Sequence, residues 1–163
     1  MLTVKTRYSE TQDLAQLFAI DHTIWNLTNS PGPIRLKSLA AYRQHYPVGS
    51  QLVAVRGTQI LGMISWNPQS PYPSMHRTWN IGIGVAQAAQ HQGVGSQLMT
   101  ALKTEARRQE IHRIELNVLA TNLAARQFYA QQDFQVEGRA RDAFYLNGHY
   151  VDDYSLAYLI EPV

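Results

Sequence analysis

The chain has 163 residues, 45% hydrophobic and 16% charged, which excludes a disordered polypeptide and suits one domain over residues 1–163. Its net charge of +2 arises from scattered basic residues, the longest run being Arg107-Arg108, so it carries no nucleic-acid footprint despite a pI near 9.0. Cysteine is absent, which excludes disulfides, a thiol nucleophile and thiolate metal sites.

The N-terminal Met1-Leu2-Thr3-Val4-Lys5-Thr6-Arg7 has no long apolar core and no small-residue cleavage pattern, so it does not read as a secretory signal. No segment reaches the ~18 consecutive apolar residues of a membrane span. The expectation is a cytoplasmic protein with no membrane partner. Leu2 to Tyr8 alternates weakly and predicts a first strand. Ser9 reads as the N-cap of a helix, with Gln12 placed for a capping box and Leu14, Leu17, Phe18 and Ile20 at helical spacing. Trp25 to Pro33 dissolves into a loop of Asn, Ser, Pro and Gly. A second helix is predicted from Leu36 to His45, stopping before Pro47.

Gln51 to Arg56 and Gln59 to Trp66 predict a hairpin turned at Gly57-Thr58. Asn67 to His76, with Pro68, Pro71 and Pro73, predicts an exposed loop. Thr78 to Val85 predicts a strand with Trp79, Ile81, Ile83 and Val85 on one parity. Gly82 and Gly84 leave the other face bare, a sign that a backbone or ligand comes close. A long helix follows from Gly93 to Glu110, its buried stripe made of Val94, Leu98, Ala101, Leu102 and Ala106. Arg113 to Leu119 predicts a strand with Ile114, Leu116 and Val118 on one face. A helix from Asn122 to Gln132 and strands over Phe134 to Glu137 and Tyr150 to Leu159 complete the chain, with a hairpin turn at Asn147-Gly148. The class is α+β with a mostly antiparallel sheet.

The chemistry gathers at two places. Gln90-His91-Gln92-Gly93-Val94-Gly95-Ser96 follows a strand and opens a helix, an arrangement that turns free backbone N–H groups toward an anion. A Walker loop needs Gly-Lys-Ser/Thr, and no lysine occurs between Lys37 and Lys103. A dinucleotide fold needs a third glycine where Leu98 stands. A plain helix start with glycines for tight packing competes evenly on Gly93 and Gly95 alone. The second place is Asn122-Leu123-Ala124-Ala125-Arg126-Gln127-Phe128-Tyr129, which sets an amide, a small residue and a phenol on another helix.

Taken together, Gln90-x-x-Gly93-x-Gly95, the strand Ile114-Glu115-Leu116-Asn117-Val118, and Asn122, Ala125, Phe128, Tyr129 and Phe134 resemble the signatures of the GNAT family of N-acetyltransferases. The predicted order β-α-α-β-β-β-α-β-α-β-β is also that family's. The resemblance implies a GNAT-type α+β fold, a mixed and mostly antiparallel sheet of about seven strands flanked by about four helices. It implies acetyl-CoA as cofactor and co-substrate, and transfer of acetyl to an amine. Backbone amides of Gln90, His91, Gln92, Gly93, Val94, Gly95 and Ser96 would hold the pyrophosphate. Ile83 to Val85 would hydrogen-bond the pantetheine, and an N–H there would polarise the thioester. Asn122 and Ala125 complete the cofactor set, with Tyr129 as cofactor contact and general acid to the thiolate. Two departures stand out. Asp133 replaces the usual glycine before Phe134, and Asn80 replaces a glutamate that often serves as base. His76, Tyr150, Asp152 or waters remain as routes for the proton.

Without cysteine, transfer must be direct. The histidines show no metal-ligand spacing, so no metal is expected. The acceptor would meet residues 22–35 and 141–150, with Trp25, Trp66, Tyr72, Tyr145 and Tyr150 as aromatic lining. The expected partner is a small-molecule amine or amino acid, and a homodimer is an expectation of the family. A protein or peptide N-terminal acetyltransferase and a non-catalytic acyl-CoA-binding module are the alternatives.

Overall fold

The computed structural model describes residues 3–33, 35–68 and 70–161. Among them run β1 (Val4–Tyr8), α1 (Leu14–Ile24), α2 (Leu39–His45), β2 (Gln51–Arg56), β3 (Gln59–Pro68), β4 (Thr78–Val85), α3 (Val94–Arg108), β5 (Arg113–Leu119), α4 (Leu123–Gln131), β6 (Gln135–Leu146) and β7 (His149–Leu159). This is the predicted order, in an α+β fold with one mixed sheet ordered β1-β2-β3-β4-β5-β7-β6. Leu2, where the first strand was expected to begin, lies outside the described residues. β4 and β5 are parallel, while β1-β2, β2-β3, β5-β7 and β6-β7 are antiparallel. The chain divides into two compact units. One holds Met1–Ile24, Arg35–Asn67 and Ile81–Gln109; the other holds Trp25–Ile34, Pro68–Asn80 and Glu110–Val163.

In the first unit, α1 buries Leu14 and Leu17 against Tyr42, Val53, Val55, Ile60 and Met63, with Phe18, Ile20 and Ile24 packed at the rim. Its start differs from the expected Ser9 cap. A 3-10 turn over Thr11–Asp13 intervenes, capped at Glu10, and Asp13 rather than Gln12 accepts the Glu10 N–H at 2.7 Å. The cause is Arg7, which fixes the Asp13 carboxylate through bonds of 2.6 and 2.9 Å. Ser9 is used elsewhere, its Oγ accepting the Gly49 N–H at 3.0 Å. α2 begins at Leu39, later than expected, because the Ser38 hydroxyl accepts the Ala41 N–H at 3.1 Å and sets the cap there. α3 buries Val94, Leu98, Met99, Leu102 and Ala106; Met99 is fully enclosed, and Ala101 is only half-buried.

The predicted bare face of β4 holds only in part. A Cβ on Gly82 would find Ser65 Oγ as its neighbour, at 3.7 Å. A Cβ on Gly84 would fall 2.2 Å from Ile24 Cδ1 and 3.3 Å from Met63 Sδ, so that position is already filled.

In the second unit, β5 buries Ile114, Leu116 and Val118 as predicted. The parallel register with β4 runs Thr78↔Arg113, Trp79↔Ile114 and Asn80↔Glu115 and stops there. β6 is far longer than the predicted Phe134 to Glu137. It runs to Leu146 because β7 pairs with it as far as Leu146↔His149, through irregularities at Val136/Gly138 and Ala140/Phe144. Asn147 and Gly148 turn the hairpin with φ of 52° and 80°, the double positive φ of a type I′ turn. Asp133 sits just past α4 with φ of 65°, a left-handed position that aspartate tolerates and that glycine would take without strain.

Candidate active site

In the first unit the candidate phosphate loop leaves β4 at Val85. It makes a 3-10 turn over Gln87–Ala89, then reverses through His91 at φ 60° and Gly93 at φ 79°. Gly93 is the N-cap of α3 and supplies no side-chain cap, so no side chain of the cap quenches the first-turn N–H groups. A Cβ at Gly93 would meet nothing within 4 Å. The glycine is therefore required by its left-handed backbone and not by close packing, which weighs against the plain helix start as its explanation. Gln90, His91, Gln92, Gly93 and Ser96 are exposed and Gly95 is half-buried; Val94 is enclosed, so it can offer only its N–H.

The glutamines brace this loop. Gln90 Nε2 donates to Val85 O at 3.2 Å and Gln92 Nε2 to Ala88 O at 2.8 Å. Arg56, at the end of β2, donates to Gln92 Oε1 at 3.3 Å, bringing a cation to the loop that the motif alone does not reveal. A signal for it lies in the sequence. Between Asp21 and Glu105 there is no acidic residue, while Arg35, Lys37, Arg43, Arg56, Arg77 and Lys103 all fall in that stretch. A loop in such a segment meets no local carboxylate that would repel a polyanion. Ile83 and Val85 are half-buried beside it.

The second unit holds the other candidates. Asn122 is the N-cap of α4, its Oδ1 accepting the Ala125 N–H at 3.2 Å, which leaves its NH2 group to donate elsewhere. Ala125 is half-buried, and Arg126 stacks over the Tyr154 ring at 4.3 Å. Tyr129 is the buried residue of α4 at 7% exposure, its ring edge-on to Phe128 at 5.3 Å and tilted to Phe134 at 5.4 Å. Burial pushes its phenol well above the ordinary range, so it stays protonated.

The proton-acceptor candidates fare differently from one another. His76 is exposed and its Nδ1 faces the Pro73 carbonyl. Tyr150 is 68% exposed and lies against Tyr145 at 5.1 Å. Asp152 accepts from the Asp142 N–H at 2.8 Å and from Arg139 Nε at 2.6 Å. Those two contacts hold its carboxyl below the usual range and make it a poor base. Sequence reasoning passed over its neighbour Asp153, which is buried in β7 and accepts from Asn117 Nδ2 at 2.6 Å. Of the aromatic lining candidates, Tyr72 and Tyr145 are exposed, while Trp25 and Trp66 are half-buried.

Among the described residues no helix is long and apolar enough to cross a membrane. No group of three or more His, Cys, Asp or Glu residues there could hold a metal ion.

The model of the acetyltransferase (GNAT) family matches residues 14–134. No curated protein matches the chain by sequence. Among solved structures, smu.2055 from Streptococcus mutans UA159 is 27% identical, with 96% of this chain and 99% of that one covered and a TM-score of 0.88. The protein yncA from Salmonella typhimurium, solved with its cofactor acetyl-CoA, is 20% identical over 99% of this chain and 96% of that one, at TM-score 0.84. The ribosomal-protein-alanine N-acetyltransferase from Brucella melitensis is 23% identical over 96% and 99%, at TM-score 0.75. The last two share the fold. The family match spans α1 through Phe134 and so takes in both the loop at Gly93 and the helix of Tyr129, and the chain belongs to the acetyltransferase (GNAT) family.

Proposed function

We propose that the protein is an acetyl-CoA-dependent N-acetyltransferase that moves acetyl directly onto the primary amine of a small molecule or amino acid. The observation that carries the cofactor half is the uncapped start of α3 behind the left-handed Gly93, in a stretch of chain without acidic residues. Backbone N–H groups of residues 90–96 take the pyrophosphate, with Arg56 adding charge through Gln92. The β4 edge at Ile83 to Val85 takes the pantetheine as an added strand would, and one N–H there polarises the thioester carbonyl. Asn122 donates its amide to the pantetheine while its oxygen keeps the helix cap.

In the transfer, the neutral amine attacks the thioester carbonyl carbon and forms the C–N bond. The tetrahedral intermediate then expels the thiolate as the C–S bond breaks. Tyr129, protonated because it is buried, gives that sulfur a proton, and the second proton that the attacking nitrogen sheds leaves through water and restores the Tyr129 phenol. The proton that the ammonium gives up before attack goes to water or to a carboxylate other than Asp152.

The test is an acceptor screen with acetyl-CoA that follows free thiol release against small amines, amino acids and peptides. Thiol release with a small amine or amino acid supports the reading. Release with peptides alone moves it to an N-terminal acetyltransferase. Tight CoA binding with no release for any acceptor makes the protein an acyl-CoA-binding module, and no CoA binding removes the reading altogether.

A further inference from the structure

We infer that Ile24, the last residue of α1, sets the length of acyl chain this protein accepts, by filling the space beside Gly84. This rests on the reading that the end of β4 holds the thioester. Gly84 lies between Ile83 and Val85, the two residues to which pantetheine is assigned. An acyl carbonyl bonded by an N–H of that segment starts its chain beside the Gly84 backbone, where the strand has no side chain to shape the space.

The space is shaped from outside the strand. A Cβ on Gly84 would lie 2.2 Å from Ile24 Cδ1, closer than a real Cβ comes to another heavy atom, with Met63 Sδ at 3.3 Å and Ile24 Cγ1 at 3.7 Å. The Ile24 methyl therefore takes the place of the missing side chain. On the β3 side a Cβ on Gly62 would lie 2.7 Å from Gly84 O, 3.2 Å from Val85 Cα and 3.3 Å from Leu98 Cδ1. The two backbones are pressed together there, which holds Gly84 in place.

Ile24 is not a loose surface residue. It packs at the rim of the cluster formed by Leu14, Leu17, Tyr42, Val53 and Met63. A methyl beside Gly84 meets a wall anchored in that core, and each further methylene must displace Ile24 or Met63. Interiors packed this closely do not deform for a methylene without cost.

The experiment measures the affinity of the whole chain for CoA, acetyl-CoA, propionyl-CoA and butyryl-CoA, and needs no acceptor. The wild type is expected to lose about tenfold for each methylene beyond acetyl. Ile24→Val removes one methylene-sized group and keeps the β-branched core residue, so it tests the inference in a chain that still folds. It should recover about one tenfold step for propionyl-CoA, and Ile24→Ala should bring butyryl-CoA to within about threefold of acetyl-CoA. CoA itself should bind all three proteins alike. An unchanged acyl preference in Ile24→Val and Ile24→Ala overturns the inference, and so does a wild type that binds all three thioesters equally. A wild type that fails to bind CoA overturns the cofactor reading beneath it, a distinct result.

Discussion

A side chain on Gly62 would point at the carbonyl oxygen of Gly84, 2.7 Å from where its Cβ would sit. That neighbour is backbone and cannot turn aside. At Gly84 the obstacle is Ile24 Cδ1, a side-chain end held against the core cluster, which shifts at a smaller cost than backbone does. The two substitutions therefore separate. Gly62→Ala should cost about 3 kcal/mol, the upper end for overpacking, and Gly84→Ala about 1 kcal/mol. Denaturant unfolding measures both, and a larger loss for Gly84→Ala would show that Ile24 cannot yield.

The same pair of glycines shows what could be read ahead of the structure. Gly82 and Gly84 marked β4 as a place of close approach, but that Ile24 fills the face at Gly84 depends on how α1 lies on β3 and β4 within the first unit, which no local pattern encodes. β4 and β5 keep the predicted bounds because the alternation of large apolar residues gives way to small and polar ones at Ala86-Gln87 and Ala120-Thr121. β6 extends past the predicted Glu137 unsignalled because its residues beyond that point are all exposed or half-buried, so burial leaves no alternation to find. Ser9 and Gln12 fitted a capping box, and Arg7 from the preceding strand overrode it by fixing Asp13. The gap in acidic residues between Asp21 and Glu105 is legible in the sequence alone.

The Arg7–Asp13 contact has a pH signature. Two hydrogen bonds from Arg7 hold the buried Asp13 carboxyl below its ordinary value of 3.8, and bonds from Arg108 hold Glu105 down to about 2. A carboxyl depressed on folding adds stability above its unfolded value, and loses it as pH falls through the folded one. Stability should thus fall between roughly pH 4.5 and pH 2. Asp13→Asn should flatten part of that fall and cost about 2 kcal/mol at pH 7, since Arg7 keeps some access to water. Unfolding curves across that range check it, and an Asp13→Asn protein with the wild-type slope would remove Asp13 as a source.

Asn122 is proposed for two tasks, and one substitution divides them. Asn122→Asp keeps an oxygen for the Ala125 N–H and places a negative charge at the start of α4, so the melting temperature should hold or rise slightly. The amide donor is gone, and acetyl-CoA affinity should fall about tenfold, the worth of a lost hydrogen bond in a binding site. Asn122→Ala should lose about 1 kcal/mol of stability as well. If Asn122→Asp binds acetyl-CoA as the wild type does, the residue is a cap and nothing more.

Tyr129→Phe removes a hydroxyl while keeping the ring between Phe128 and Phe134. With an acceptor identified by the screen, kcat should fall by about 10² to 10³, the usual contribution of a positioned acid, while acetyl-CoA affinity stays within about threefold. Burial raises the Tyr129 pKa above the ordinary phenol value of 10.0, which favours the protonated, proton-giving form at every working pH. It follows that Tyr129 causes no alkaline loss of activity below about pH 10. Any alkaline limb in the wild-type profile belongs to another group, and should persist in the residual activity of Tyr129→Phe. A variant with wild-type kcat would show that the buried phenol is a packed aromatic and that the thiolate leaves without its proton.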